Sequence, residues 1–123
     1  MTDEIISLRN YAHIGDAVWE VFVREYTIFK TQNPKNLHKI TTDRVKAAFQ
    51  KEMLELISNE LDEEEQSLAR RGRNLSRPVG RKNIQNVYRH ATAFEVLIGF
   101  WYLHNKDRLN YIYSLLKQTK YFS

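Results

Sequence analysis

An all-α fold is predicted by three features of the chain. Apolar residues recur at helical spacing over long stretches, and no segment reads as a convincing strand, repeat or low-complexity tract. Both prolines, Pro34 and Pro78, fall between those stretches, where helices begin or loops run. With 123 residues there is room for one core and not two, so residues 1–123 are expected to form a single domain of five to six helices.

The first helix is read from Leu8, Tyr11, Ala12, Gly15, Val18, Trp19, Phe22, Tyr26 and Phe29, spaced mostly by three and four. Asn33-Pro34 breaks the chain and suits the first turn of a new helix. Leu37, Thr41, Val45, Ala48, Phe49, Met53, Leu56 and Ile57 form a second helical stripe. Asp62 with Glu65 resembles a capping box, opening a short helix that ends near Gly72. Asn74 to Lys82, with Pro78 and Gly80, reads as a mobile basic loop. A third long helix runs from about Asn83 to Leu103, with Val87, Ala91, Phe94, Leu97, Ile98 and Trp101 inward. Asp107 is expected to cap a last helix carrying Leu109, Ile112, Leu115 and Leu116.

Composition excludes several classes. Hydrophobic residues at 42% and aromatics at 12% describe a chain that folds, not a disordered one. Without cysteine there is no disulfide and no zinc thiolate site, which fits a reducing compartment. The acidic start, Met1-Thr2-Asp3-Glu4, lacks the basic-then-apolar order of a secretory signal. No apolar run approaches the ~20 residues of a membrane span. A cytoplasmic protein is expected.

The net charge of +4 matters less than its placement. Between Gln66 and Phe94 lie seven basic residues (Arg70, Arg71, Arg73, Arg77, Arg81, Lys82, Arg89) and no acid, so the remainder carries 4 − 7 = −3. Such concentration is expected of a phosphate-binding surface. Arg70, Arg71, Arg73, Arg77, Arg81 and Lys82 are the candidate phosphate contacts, because the planar arginine fork bridges two phosphate oxygens. Arg89, inside a helix, reads as structural or dimer-linked. The acidic cluster just before, Glu60 and Asp62 to Glu65, reads as a solvated helix start; the alternative to phosphate contact is that some of these arginines pair with it.

Two separated stretches carry the chemistry, His13-Ile14-Gly15-Asp16-Ala17-Val18-Trp19-Glu20 and Thr92-Ala93-Phe94-Glu95-Val96-Leu97-Ile98-Gly99. Each sets an acid in the apolar part of a helix, near a glycine. Burying a carboxylate is costly unless something pairs with it. If the first and third long helices pack together, Asp16 and Glu95 meet, and Gly15 and Gly99 permit close backbone approach. Carboxylates and water are the ligands of Mg²⁺, which takes one or two protein carboxylates plus a substrate phosphate. His13, Asp16 and Glu20 line one edge of the first helix. Glu20 either holds a metal-bound water or anchors an arginine. Trp19, Trp101 and Tyr102 read as core more than as stacking platforms. His38, His90 and His104 have no metal-ligand spacing.

The chain resembles the ribonuclease III catalytic domain, and most closely its small branch, Mini-ribonuclease III. Gly15-Asp16-Ala17 followed by an aromatic and Glu20, with the later Thr-Ala-Phe-Glu-x-Leu-Ile-Gly, is similar to the two signatures of Mini-ribonuclease III. Leu37-His38-Lys39 and Arg71-Gly72-Arg73-Asn74 also fit, and the similarity covers nearly the whole chain. The resemblance implies an α-helical endonuclease domain acting as a homodimer on double-stranded RNA, without an appended RNA-binding domain. It implies that Asp16 is catalytic and that Glu95 joins it at Mg²⁺, with Mn²⁺ able to substitute. A metal-bound water then attacks phosphorus and leaves 5′-phosphate and 3′-hydroxyl ends. The implied substrate is the stem formed by the ends of the large-subunit (23S) ribosomal RNA precursor.

Departures from the larger enzymes are specific. Their glutamates four and seven residues before the catalytic Asp stand here as Ala12 and Arg9, and their Asp three before the later Glu as Thr92. The small branch shares the Ala and the Thr. His13 stands where that branch usually has Tyr. The sparse acidic site motivates an alternative, an inactive relative that holds structured RNA. A helical protein-interaction module is the third reading.

Overall fold

The computed structural model describes residues 6–75 and 81–123. Among them are six α-helices, two short 3-10 turns and no strand. The helices are α1 (Leu8–Thr27), α2 (Pro34–Val45), α3 (Ala47–Ile57), α4 (Glu63–Arg73), α5 (Lys82–His104) and α6 (Lys106–Lys117). The turns are Ser58–Glu60 and Lys120–Phe122. The expected all-α fold is therefore the observed one.

Helix α5 is the axis of the fold. Its most extensive packing is against α1, and α3, α4 and α6 also lie on it. Ala93, Phe94, Val96, Leu97 and Ile98 on α5 are wholly buried, and Trp19 and Val23 answer from α1. Trp19 and Trp101 are core residues, as the sequence predicts. Each buried indole N–H finds an acceptor. Trp19 Nε1 donates to the Arg44 carbonyl at 2.9 Å, and Trp101 Nε1 to Glu65 Oε2 at 2.8 Å.

The stripe from Leu37 to Ile57 is two helices and not one. Lys46 is extended (φ −71°, ψ 157°) between α2 and α3. Three- and four-residue spacing continues across the break, so periodicity alone does not reveal it. The start of α2 is as expected: Pro34 occupies its first turn and the Asn33 side chain accepts from the Asn36 amide at 3.0 Å. The cap of α6 is Asn105, whose side chain accepts from the Arg108 amide at 3.1 Å. Asp107 lies in the first turn instead, where its charge faces the positive end of the helix dipole.

The capping box of α4 is present in both directions. Glu65 N donates to Asp62 Oδ1 at 2.8 Å and Asp62 N to Glu65 Oε1 at 2.9 Å. The solvated reading of this cluster fails at Glu65, which is only 4% exposed. Its carboxylate accepts from Arg108 Nε at 2.9 Å and Nη2 at 2.7 Å, besides the Trp101 indole. Burial alone raises this carboxyl, but the Arg108 guanidinium, the Asp62 amide and the indole outweigh it and hold it below the usual carboxylate range. Arg108→Ala strips a buried carboxylate of its charge partner. It is expected to cost about 3–5 kcal/mol, read as a lower urea midpoint.

At the far end of the chain, Phe122 is buried against Trp19, Phe22, Tyr26 and Phe49. Arg44 Nε donates to the Tyr121 carbonyl at 3.0 Å and ties the closing turn to α2.

Candidate active site

The site begins with a helix crossing that has no room for side chains. A Cβ on Gly15 would overlap the Glu95 carbonyl and lie 2.9 Å from the Gly99 nitrogen. A Cβ on Gly99 would overlap the Tyr11 carbonyl and lie 3.0 Å from Ile14 Cγ2. Only glycine at both positions lets the two backbones touch. The residue after Gly15 is Asp16, and Glu95 stands one turn before Gly99, so the crossing itself brings these two acids together.

The two carboxyls are in hydrogen-bond contact. Their environments differ from the sequence expectation in one respect: Asp16 is exposed, and only Glu95 is half-buried. Burial first, then the hydrogen bond to Asp16 and the Asp16 charge, push the Glu95 carboxyl up to about 8, against a Gln50 hydrogen bond that lowers it. At neutral pH without a cation Glu95 therefore keeps its proton. Two like charges that cannot both ionise are relieved by a shared proton or by a cation. Among the described residues no group of three or more His, Cys, Asp or Glu converges. A pair of carboxylates suits a hydrated Mg²⁺-type ion, which keeps most of its waters, and does not suit zinc.

Glu20 lies on the same edge of α1, one turn on from Asp16. Its Oε1 accepts from Arg24 Nε at 3.1 Å and Nη2 at 2.7 Å, an exposed ion pair along the helix. Arg9 and Thr92 are both engaged with backbone. Arg9 Nη2 donates to the Leu75 carbonyl at 2.7 Å, and Thr92 Oγ1 to the Tyr88 carbonyl at 2.9 Å. His104 meets α1 through the Tyr11 hydroxyl at 2.7 Å, a packing role.

The basic end of α4 is packed beside this crossing. A Cβ on Gly72 would lie 3.0 Å from Ala93 Cα and 3.3 Å from Val96 Cγ2, on the two sides of Glu95. Arg70 and Arg71 are exposed and Arg73 is half-buried; Arg81 and Lys82 are exposed at the start of α5. Among the described residues none of the five forms an ion pair with the acidic cluster, whose Glu65 is taken by Arg108. Arg77 lies outside the described residues. Arg89 is half-buried with its Nε enclosed and unpartnered.

One residue at the site escapes the sequence reading. Gln50 on α3 is 2% exposed, donates from Nε2 to the Val45 carbonyl at 3.0 Å, and hydrogen-bonds Glu95. The available signal was a polar residue set between Phe49 and Met53 in an apolar stripe.

A family profile described as the Ribonuclease III domain matches residues 9–106. The chain is 37% identical over 116 residues to a Mini-ribonuclease 3 of Gloeobacter violaceus, covering 94% of this chain and 86% of that protein. It is 44% identical over 110 residues to a Mini-ribonuclease 3 of Clostridium tetani, covering 85% and 72%. The crystal structure of protein FN1578 from Fusobacterium nucleatum shares the fold, with TM-score 0.79 and 32% identity over 89% of this chain and 90% of that one. The chain belongs to the ribonuclease III family, a class of endoribonucleases. Within it, the similarity is to Mini-ribonuclease 3 proteins.

Proposed function

We propose that the chain is a divalent-cation-dependent endoribonuclease that cuts double-stranded RNA in the cytoplasm as a homodimer. Mg²⁺ is the proposed ion, with Mn²⁺ able to substitute. The stem at the ends of the large-subunit (23S) ribosomal RNA precursor is the proposed substrate, carried over from the resemblance. The observation that supports the activity most is the Asp16–Glu95 pair at the glycine-lined crossing.

Asp16 and Glu95 would hold the cation. When bound there, a divalent ion activates water and offsets charge on a phosphodiester under attack. Exposed Asp16 faces the substrate side, and half-buried Glu95 must release its proton before the ion is held. Arg70, Arg71, Arg73, Arg77, Arg81 and Lys82 would contact phosphates, which gives affinity with steep salt dependence and little sequence information. A-form RNA is read mainly by shape, phosphates and 2′-hydroxyls. A second copy of the chain has a face to occupy on α1. Ile14, Val18 and Val21 border a groove of about 440 Å³ there, and Ile28 continues the apolar stripe.

The test is cleavage of a long double-stranded RNA with Mg²⁺, with and without chelator, for wild type and Asp16→Asn. Cleavage is expected to require the ion and to fall by about a thousandfold or more in the variant, on the order of 4 kcal/mol of transition-state stabilisation. RNA binding at low salt is expected to survive. Undiminished cleavage by a folded Asp16→Asn protein would overturn the reading. Binding without cleavage by the wild type would make it an RNA-holding relative.

A further inference from the structure

The break between α2 and α3 does more than turn the chain. The last carbonyls of a helix lack partners within it. Because α2 ends at Val45, the Val45 carbonyl is left for another donor, and Gln50 Nε2 supplies it at 3.0 Å. This contact also settles which way round the amide lies. Turned over, Gln50 would set its own oxygen against the Val45 oxygen, two acceptors with no hydrogen between them.

With the amide so fixed, α3 packs along α5 and brings Gln50 against Glu95. The nitrogen gives one hydrogen to Val45 and has a second to turn toward Glu95, whose carboxyl Gln50 pulls down. The oxygen, Oε1, is buried and has no partner in the protein. A buried acceptor without a donor is costly, and few folded chains keep one without a reason. This one sits on an amide already in contact with half of the carboxylate pair. A hydrated cation brings donors to such a place, since each water it keeps carries two hydrogens in need of acceptors.

We infer that Gln50 is a positioning residue of the cation site: its amide nitrogen orients the Glu95 carboxyl, and its free oxygen accepts from the hydration shell of the ion. The inference rests on the proposed role of Asp16 and Glu95, and adds a third protein group to their sparse site. Gln50 does not touch RNA; it acts through Glu95 and through the waters that the ion keeps.

The experiment measures Mn²⁺ binding to the full chain by titration calorimetry, without RNA, beside thermal melting and steady-state cleavage. The variants are Gln50→Leu, which keeps the volume and removes both polar atoms, and Gln50→Asn, which keeps the amide but withdraws it by one methylene. Both are expected to weaken Mn²⁺ binding by roughly ten- to a hundredfold, the usual effect of removing a group that supports metal ligands. Cleavage should lose kcat at saturating RNA while KM for RNA stays unchanged. Gln50→Leu deprives the Val45 carbonyl of its donor but removes the unpartnered acceptor, so the two changes offset and it should melt close to wild type with the ion absent. A purely structural Gln50 gives the opposite pattern, lower melting and unchanged Mn²⁺ affinity, and that result overturns the inference. If Gln50→Leu fails to fold, the Mn²⁺ affinity of Gln50→Asn decides between the same two outcomes. Failure of the wild type to bind Mn²⁺ would instead bring down the Asp16–Glu95 reading, and this inference with it.

Discussion

Gly15→Ala is expected to abolish the native fold or to leave it more than about 4 kcal/mol less stable, far beyond the ~1 kcal/mol of an ordinary substitution. In an exposed helix the same change stabilises, because alanine is the better helix former. Here the added methyl overlaps the Glu95 carbonyl, which is main chain and has no rotamer to swing aside. Helices α1 and α5 would have to separate, and with them Trp19, Phe94 and Leu97, all fully buried. Urea unfolding followed by tryptophan fluorescence checks this, since both indoles lie in the core. A Gly15→Ala protein with wild-type stability would mean that the helices do not cross as closely as described. Gly99→Ala, which overlaps the Tyr11 carbonyl, should behave the same way.

Glu95→Gln is expected to separate activity from stability. Cleavage should fall by about a thousandfold, as for Asp16→Asn. Stability without metal should rise. The folded state holds the Glu95 proton up to about 8, while the unfolded chain releases it near the ordinary value of 4.5. Between those values the folded protein binds the extra proton, so wild-type stability declines as pH rises through that window and levels off above it. Glutamine carries no charge and escapes the decline. The gain should be absent below pH 4.5 and reach about 2 kcal/mol near pH 8, after allowance for the open side of the site. Melting curves across this range, with chelator present, read the effect directly. Adding Mg²⁺ should raise the wild-type melting point and leave the variant unmoved. A Glu95→Gln protein no more stable than wild type at pH 8 would mean that the two carboxyls do not compete for charge.

These two variants also show how much of the molecule was legible in its sequence. Gly15 and Gly99 stand at helical spacing among large apolar residues, where small size has a packing reason, and each lies within a turn of an acid. Two helices and their meeting point follow from that. The capping box at Asp62 and Glu65 was equally plain, because both partners lie within four residues. What stayed hidden depends on contacts across the chain. Glu65 looks like its neighbours Glu63 and Glu64 until Trp101 and Arg108 arrive from α5 and α6. The break at Lys46 leaves the apolar period undisturbed. Gln50 acquires meaning only when that break frees the Val45 carbonyl and α3 is laid on α5. Asp107 reads as the cap of α6, whereas Asn105 caps it, since Asp and Asn accept from a helix N-terminus equally well and spacing alone does not choose between them.

The closing turn at Lys120–Phe122 has a consequence for how the molecule assembles. Phe122 stacks edge-on to Trp19 across more than a hundred residues of intervening chain. Helix α1 thus waits for a residue 103 positions beyond Trp19 before its aromatic box is shut. Its other wall, Phe94, also arrives late. Such distant pairings slow folding, since long loops must close before the contacts that repay them exist. During synthesis α1 would pass through a period with Trp19 and Phe22 bare, a stage at which a helper that covers apolar helices has something to bind.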